Sequence, residues 1–207
     1  MSGSTEQIES RDVVAIATEA RSHMPPQASF RAEDDAVIAQ HAEFLNGLGS
    51  TIVDSFYQTV FGHEQTAKVF HEGERPARED SLANWWARTI AGPRDDRYFG
   101  WLALVGLLHV VRGVSNPMML SMADHIGAVV AEQAREAQLP EADQAALNEA
   151  FRRFLATVSA VITFGYDIAV ENALFEVAGM PSALLHRLRD QTVEQAVVEA
   201  RESLGRP

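Results

Sequence analysis

Between residues 99 and 111 the chain reads FGWLALVGLLHVV, without one charged side chain. The stretch is well short of the roughly 20 apolar residues that a membrane-spanning helix needs. Its apolar surface must therefore be covered by the rest of the same fold, as the buried core helix of an ordinary domain. One strongly polar side chain interrupts it, His109. A buried neutral imidazole carries one donor and one acceptor nitrogen, and leaving either unpaired costs about 1–3 kcal/mol. The neighbours at helical spacing, Val105, Leu108 and Arg112, supply apolar walls and one cation but no acceptor. His109 therefore requires a partner from elsewhere: a distant hydrogen-bonding group, or a ligand that takes a ring nitrogen.

Elsewhere apolar residues recur at helical spacing, Gly and Pro fall mainly between the periodic segments, and strand-like alternation is absent, which predicts an all-α chain. The expected helices are 8–23, 33–46, 52–61, a short turn at 64–70, 78–91, 97–114, 117–138, 141–177 and a last amphipathic helix, Ser182–Leu204. Gly92-Pro93 stops one of them, Pro117 suits a first helical turn, and Gly179-Met180-Pro181 is a clear break. The organisation read from this is a helical N-terminal extension (1–30), a main domain (31–179) and the C-terminal helix (180–207). Docking on its own domain and pairing with a partner are both open to that last helix. Apolar faces around Met122, Ile126, Val129, Val158, Val161 and Ile162 suggest a homodimer interface.

Several function classes lose support at this stage. A formal net charge of −12 provides no basic surplus to displace phosphate counterions, which argues against nonspecific nucleic-acid binding. With no cysteine there is no disulfide framework, thiolate chemistry or Cys-ligated metal. The first residues, MSGSTEQIESRD, lack the basic and apolar regions of a secretory signal, so a cytoplasmic location and no membrane association are expected. No HExxH pair, carboxylate cluster, phosphate loop or nucleophile elbow is visible. His63 and His71 sit beside charges and loops, and His41 and His125 lack metal-ligand partners at helical spacing.

Two segments point further: IVDSFYQTVFGHEQTAKVF, with Phe56-Tyr57 followed by the turn His63-Glu64-Gln65-Thr66, and DDRYFGWLALVGLLHVVRGVSNPMM, with Gly113 four residues after His109. In order and spacing the chain resembles the globin-coupled sensor and protoglobin family from about Arg31 to Gly179. Two positions depart from the family pattern. The arginine commonly two residues after the histidine stands one later, as Arg112, and Met118-Met119 replaces an aromatic pair.

The resemblance implies an all-α, globin-like fold with an additional N-terminal helix and an extra C-terminal helix. It further implies a b-type haem with His109 as proximal iron ligand, and O2, CO or NO as gas ligands. Tyr57 falls on the distal side, where a phenol donor would stabilise a partially negative gas ligand by about 1.5–3 kcal/mol. A core tyrosine bonded to a backbone carbonyl is the plainer alternative. The remaining expected cofactor contacts are Phe70, Ser81, Leu82, Trp85, Trp86, Leu108, Arg112, Val114 and Met122. Adjacent helical residues point about 100° apart, so Trp85 and Trp86 cannot both line one pocket equally. The implied function is gas binding by a single-domain sensor or protoglobin-like protein, with a homodimer and a separate signalling partner. A haem enzyme acting on NO, peroxide or O2, and a haem-free globin-fold interaction module, are the alternatives.

Overall fold

The computed structural model describes residues 12–204, and among these the regular structure is entirely helical. The helices are α1 Val13–Ser22, α2 Ala32–Gln40, α3 Ala42–Gly47, α4 Gly49–Gly62, α5 Glu64–Ala67, α6 Arg75–Ala91, α7 Asp96–Arg112, α8 Asn116–Glu136, α9 Glu141–Ala178 and α10 Ser182–Leu204. The start expected for the first helix, residues 8–11, lies outside the described residues. The single helix expected over 33–46 is two, separated at His41.

The chain divides into two compact units, one ending at Ile168 and the other beginning at Ala169. In the first, α1 packs against α7, so the N-terminal helix belongs to the main unit. In the second, His186 pairs with Glu171, Arg189 lies 3.8 Å from the same carboxylate, and no residue of α10 is buried.

The sequence sets the ends of α7 with unusual clarity. Asp95 caps its start, accepting from the Tyr98 amide at 2.9 Å, and Gly113 ends it in the left-handed region at φ 70°. That turn lets the Val114 amide donate to the His109 carbonyl at 3.0 Å, satisfying an otherwise unpaired helix-end acceptor. Further up, α7 crosses α9 backbone to backbone. A Cβ on Gly106 would lie 2.3 Å from the Ile162 carbonyl oxygen, and one on Gly165 2.7 Å from that of Ala103. Only glycine at both positions permits the crossing, and His109 follows one helical turn after it.

Trp86, Tyr98, Phe99, Phe151 and Phe154 form the fully buried aromatic centre. The Tyr98 hydroxyl pairs with Thr89 at 2.6 Å. Asp34 of α2, 1% exposed, takes both the Nε (2.8 Å) and a terminal nitrogen of Arg153 on α9, which also meets Glu149. Arg94 is likewise buried and donates from Nε to Asp35 at 2.6 Å.

The faces expected to form a dimer interface are spent inside the protomer. Met122, Ile126, Val129, Val158, Val161 and Ile162 are all buried. Those periodic stripes are the contact surfaces of α8 and α9 within their own unit. By length and composition α9 could also cross a membrane, but Leu147, Phe151, Phe154, Val158 and Val161 bury it in the core instead.

Candidate functional site

A largely apolar cavity of about 380 Å³ opens among α4, α6, α7, α8 and α9, within the size range of small-molecule and cofactor sites. From α7 it receives Leu102, Val105, Leu108, His109 and Arg112, the helical stripe that the crossing at Gly106 turns inward. From α4 come Phe56, Tyr57 and Val60, from α6 Arg78, Ser81, Leu82 and Trp85, and from α8 Met119 and Met122. Phe70 and Val114 close it from the connecting segments, and Leu155, Val158 and Ile162 of α9 form its floor. A broader surface depression near His41 and Gln133 is lined by residues that face solvent, Glu43 and Glu136 among them.

Two buried side-chain nitrogen or oxygen atoms among the described residues lack a hydrogen-bond partner: His109 Nδ1 and Arg78 Nε. Both residues line this cavity. Burial, aided by the Arg112 charge, pushes the His109 pKa down from 6.5 to about 4, so the imidazole is neutral near pH 7. Among the described residues, no distant group pairs with His109 Nδ1.

Tyr57 is 5% exposed, and its ring is held by Phe56, Phe61 and Phe70 at centroid distances of 5.1, 6.0 and 6.1 Å. Burial pushes its pKa up to about 12, with the Arg78 charge acting in the opposite direction. No described group accepts a hydrogen bond from its hydroxyl, so it is not the carbonyl-bonded core tyrosine.

The other expected residues separate clearly. Phe70, Ser81, Leu82, Trp85, Leu108, Arg112, Val114 and Met122 all line the cavity. Trp86 does not: it is 1% exposed, its indole donates to the Leu45 carbonyl at 2.9 Å, and it stacks on Phe151 at 5.9 Å. Ser81 spends its hydroxyl on the Ala77 carbonyl one turn back, at 2.7 Å. Arg112 is committed to Glu74, just before α6, through two hydrogen bonds of 2.9 and 3.2 Å. That pairing holds the Glu74 carboxyl near 2, well below its ordinary value.

The sequence reading passed over Arg78, whose place beside the loop HEGERP and the acids Glu79 and Asp80 suggests a solvated charge. A signal was available: Arg75 and Glu79 sit four apart and pair at 2.6 Å, and adjacent helical positions point about 100° apart, so Glu79 does not face Arg78. The remaining histidines lie elsewhere. His125 bonds Ser55 at 2.9 Å, His41 is 3.8 Å from Asp143, and His63 and His71 are exposed. No cluster of metal-ligating side chains occurs among the described residues.

The protoglobin family model matches residues 27–169. The chain belongs to the protoglobin family. The match spans α2 to α8, most of α9 and every residue that lines the cavity, and it stops one residue beyond the end of the first compact unit. α1 and α10 therefore lie outside the protoglobin match. No curated protein matches the chain.

Proposed function

We propose that this protoglobin binds one b-type haem in the apolar cavity, with His109 as the axial ligand, and binds diatomic gases there. The observation that carries the reading is His109 itself, a neutral imidazole in an apolar wall whose buried Nδ1 has no partner. An iron ligand takes one ring nitrogen and so removes much of the cost of placing an imidazole in that setting. The residues fit the group: apolar side chains surround most of the cavity, and two buried nitrogens in its walls are unpaired.

When bound, haem supplies an iron that takes O2, CO or NO and can carry redox chemistry. The chain supplies the rest. At neutral pH the depressed pKa keeps the proton off the imidazole, so a ring nitrogen is free to coordinate. Tyr57 holds its proton to about pH 12 and therefore remains a donor toward a ligand in the cavity. Phe70, Leu82, Trp85, Leu108, Val114 and Met122 exclude water and strengthen that polar contact. Gas sensing in the cytoplasm, by a homodimer that signals through a separate partner, completes the reading.

Reconstitution of the purified full chain with haemin, followed by absorption spectroscopy, tests it. The wild type is expected to develop a Soret band at one equivalent. His109→Ala should lose it and recover it with added imidazole. A wild-type spectrum identical to free haemin overturns the assignment and favours the haem-free interaction module.

A further inference from the structure

Among the described residues the other buried or half-buried arginines are paired: Arg21 with Asp96, Arg94 with Asp35, Arg153 with Asp34, and Arg112 with Glu74. Arg78 is the exception, and its unpaired buried Nε lies in the cavity wall. A buried unpaired hydrogen-bond donor carries a penalty of about 1–3 kcal/mol, and more when the group is charged. The acid one helical turn before it, Glu74, is taken by Arg112, and its sequence neighbour Glu79 by Arg75.

The rest of the lining sharpens the contrast. Among the described residues no Asp or Glu borders the cavity. Thr66 gives its hydroxyl to the Val60 and His63 carbonyls, and Ser81 gives its own to Ala77. Arg112 is occupied by Glu74. Apart from His109 and the half-buried Trp101 indole, whose ring faces Arg88 at 5.5 Å, the lining groups among the described residues without a hydrogen-bond partner are Arg78 Nε and the Tyr57 hydroxyl, both able to donate. They are electrostatic neighbours, since among charged groups Arg78 exerts the largest influence on the Tyr57 phenol.

We propose that Arg78 and Tyr57 form a subsite for a small free anion in the cavity, in the class of fluoride, azide or nitrite. The proposal takes the haem reading as its premise and adds the ligand class. An anion between a guanidinium and a phenol would receive charge-assisted hydrogen bonds in a low-dielectric site, where they are strongest. A neutral ligand such as CO gains little from the same pair. A carboxylate of the porphyrin has the same chemistry, and the test below distinguishes it from a separate, smaller anion.

The test uses the ferric, haem-loaded full chain titrated with sodium fluoride at pH 7 and constant ionic strength, read by visible absorption. Arg78→Leu is expected to weaken fluoride by about tenfold or more, the scale of one charge-assisted hydrogen bond. Arg78→Lys should recover part of that affinity. The CO affinity of the ferrous forms should differ by less than about threefold, since no charge is at stake. Haem transfer to an acceptor globin, measured on the same variants, separates the two sources of negative charge. Equal fluoride affinity in wild type and both variants overturns the subsite. Unchanged fluoride affinity with faster haem loss in Arg78→Leu assigns Arg78 to the porphyrin carboxylate and likewise overturns the free-anion proposal. A wild type without a Soret band removes the premise, and with it the haem reading, whereas the other two failures leave that reading intact.

Discussion

Gly106→Ala places one methyl group where the structure has no room for it. The new Cβ would stand 2.3 Å from the Ile162 carbonyl oxygen and 2.9 Å from the Tyr166 amide nitrogen. Both are backbone atoms, so no side-chain rotation relieves the overlap. Ordinary contact begins near 3.4 Å, and restoring it requires α7 and α9 to separate by roughly 1 Å at this point. A radial gap of that size forfeits about a quarter to a half of each dispersion contact across it. Overpacking of this kind costs about 1–3 kcal/mol, and the absence of side-chain freedom places Gly106 in the upper half of that range. Alanine returns up to about 1 kcal/mol through helix propensity. The expected net loss is then about 1–2 kcal/mol, measured by urea denaturation of the haem-free full chain. Gly62→Ala is the matched control, because a Cβ there meets nothing within 4 Å. It should be neutral or stabilising by up to about 1 kcal/mol. Because His109 lies one turn beyond the crossing, Gly106→Ala should also speed haem loss. A Gly106→Ala protein as stable as wild type, with Gly62→Ala behaving as expected, would refute the close approach of α7 and α9.

Tyr57→Phe keeps the ring and removes the donor, so O2 dissociation from the ferrous protein should accelerate by about tenfold, with CO responding less; stopped-flow rates that change equally for both gases would leave Tyr57 as packing only. Alkaline unfolding follows from the same residue. Its pKa of about 12 in the fold lies above the ordinary 10, so its contribution is fully present below pH 10 and is lost as pH rises toward 12. The stability gap between wild type and Tyr57→Phe, followed by denaturation from pH 9 to 12, should shift against the wild type across that window. Asp34→Ala leaves the buried Arg153 with Glu149 as its remaining partner and should cost about 1–3 kcal/mol, detectable as a lowered urea midpoint with an unchanged slope. Sedimentation velocity at micromolar concentration should give a homodimer, and Met122→Ala should affect stability rather than dimer dissociation, because Met122 is buried within the protomer.

The parts of the fold legible in the sequence are those governed by local chemistry. The uncharged run identified α7, Asp95 and Gly113 mark its ends, and the Met180-Pro181 break placed Ser182–Leu204 at its observed bounds. The interruption at His41 was not legible, since no Gly or Pro accompanies it. Periodicity revealed the apolar stripes of α8 and α9 without revealing what covers them, because a core contact and a subunit contact require the same pattern. Within the cavity, Phe70, Leu82, Trp85, Leu108, Val114 and Met122 could be named from the resemblance, whereas the floor from α9 could not. The choice of Trp85 over Trp86 depended on helix rotation. The isolation of Arg78 depended on which neighbour claims Glu79, and that is a property of three-dimensional pairing.

The Asp34–Arg153 pair joins positions 119 residues apart, and that separation has a consequence during synthesis. At about 5–20 residues per second, Arg153 is polymerised roughly 6–24 s after Asp34. Throughout that interval the acid has the exposed Arg31 side chain 4.0 Å away but lacks the buried partner that offsets its desolvation. The buried ion pair that ties α2 to α9 can therefore close only once α9 has emerged. The cavity, whose floor is made by Leu155, Val158 and Ile162 of the same helix, is among the last features a growing chain can complete. Any group destined for it has to be acquired late in translation or after release from the ribosome.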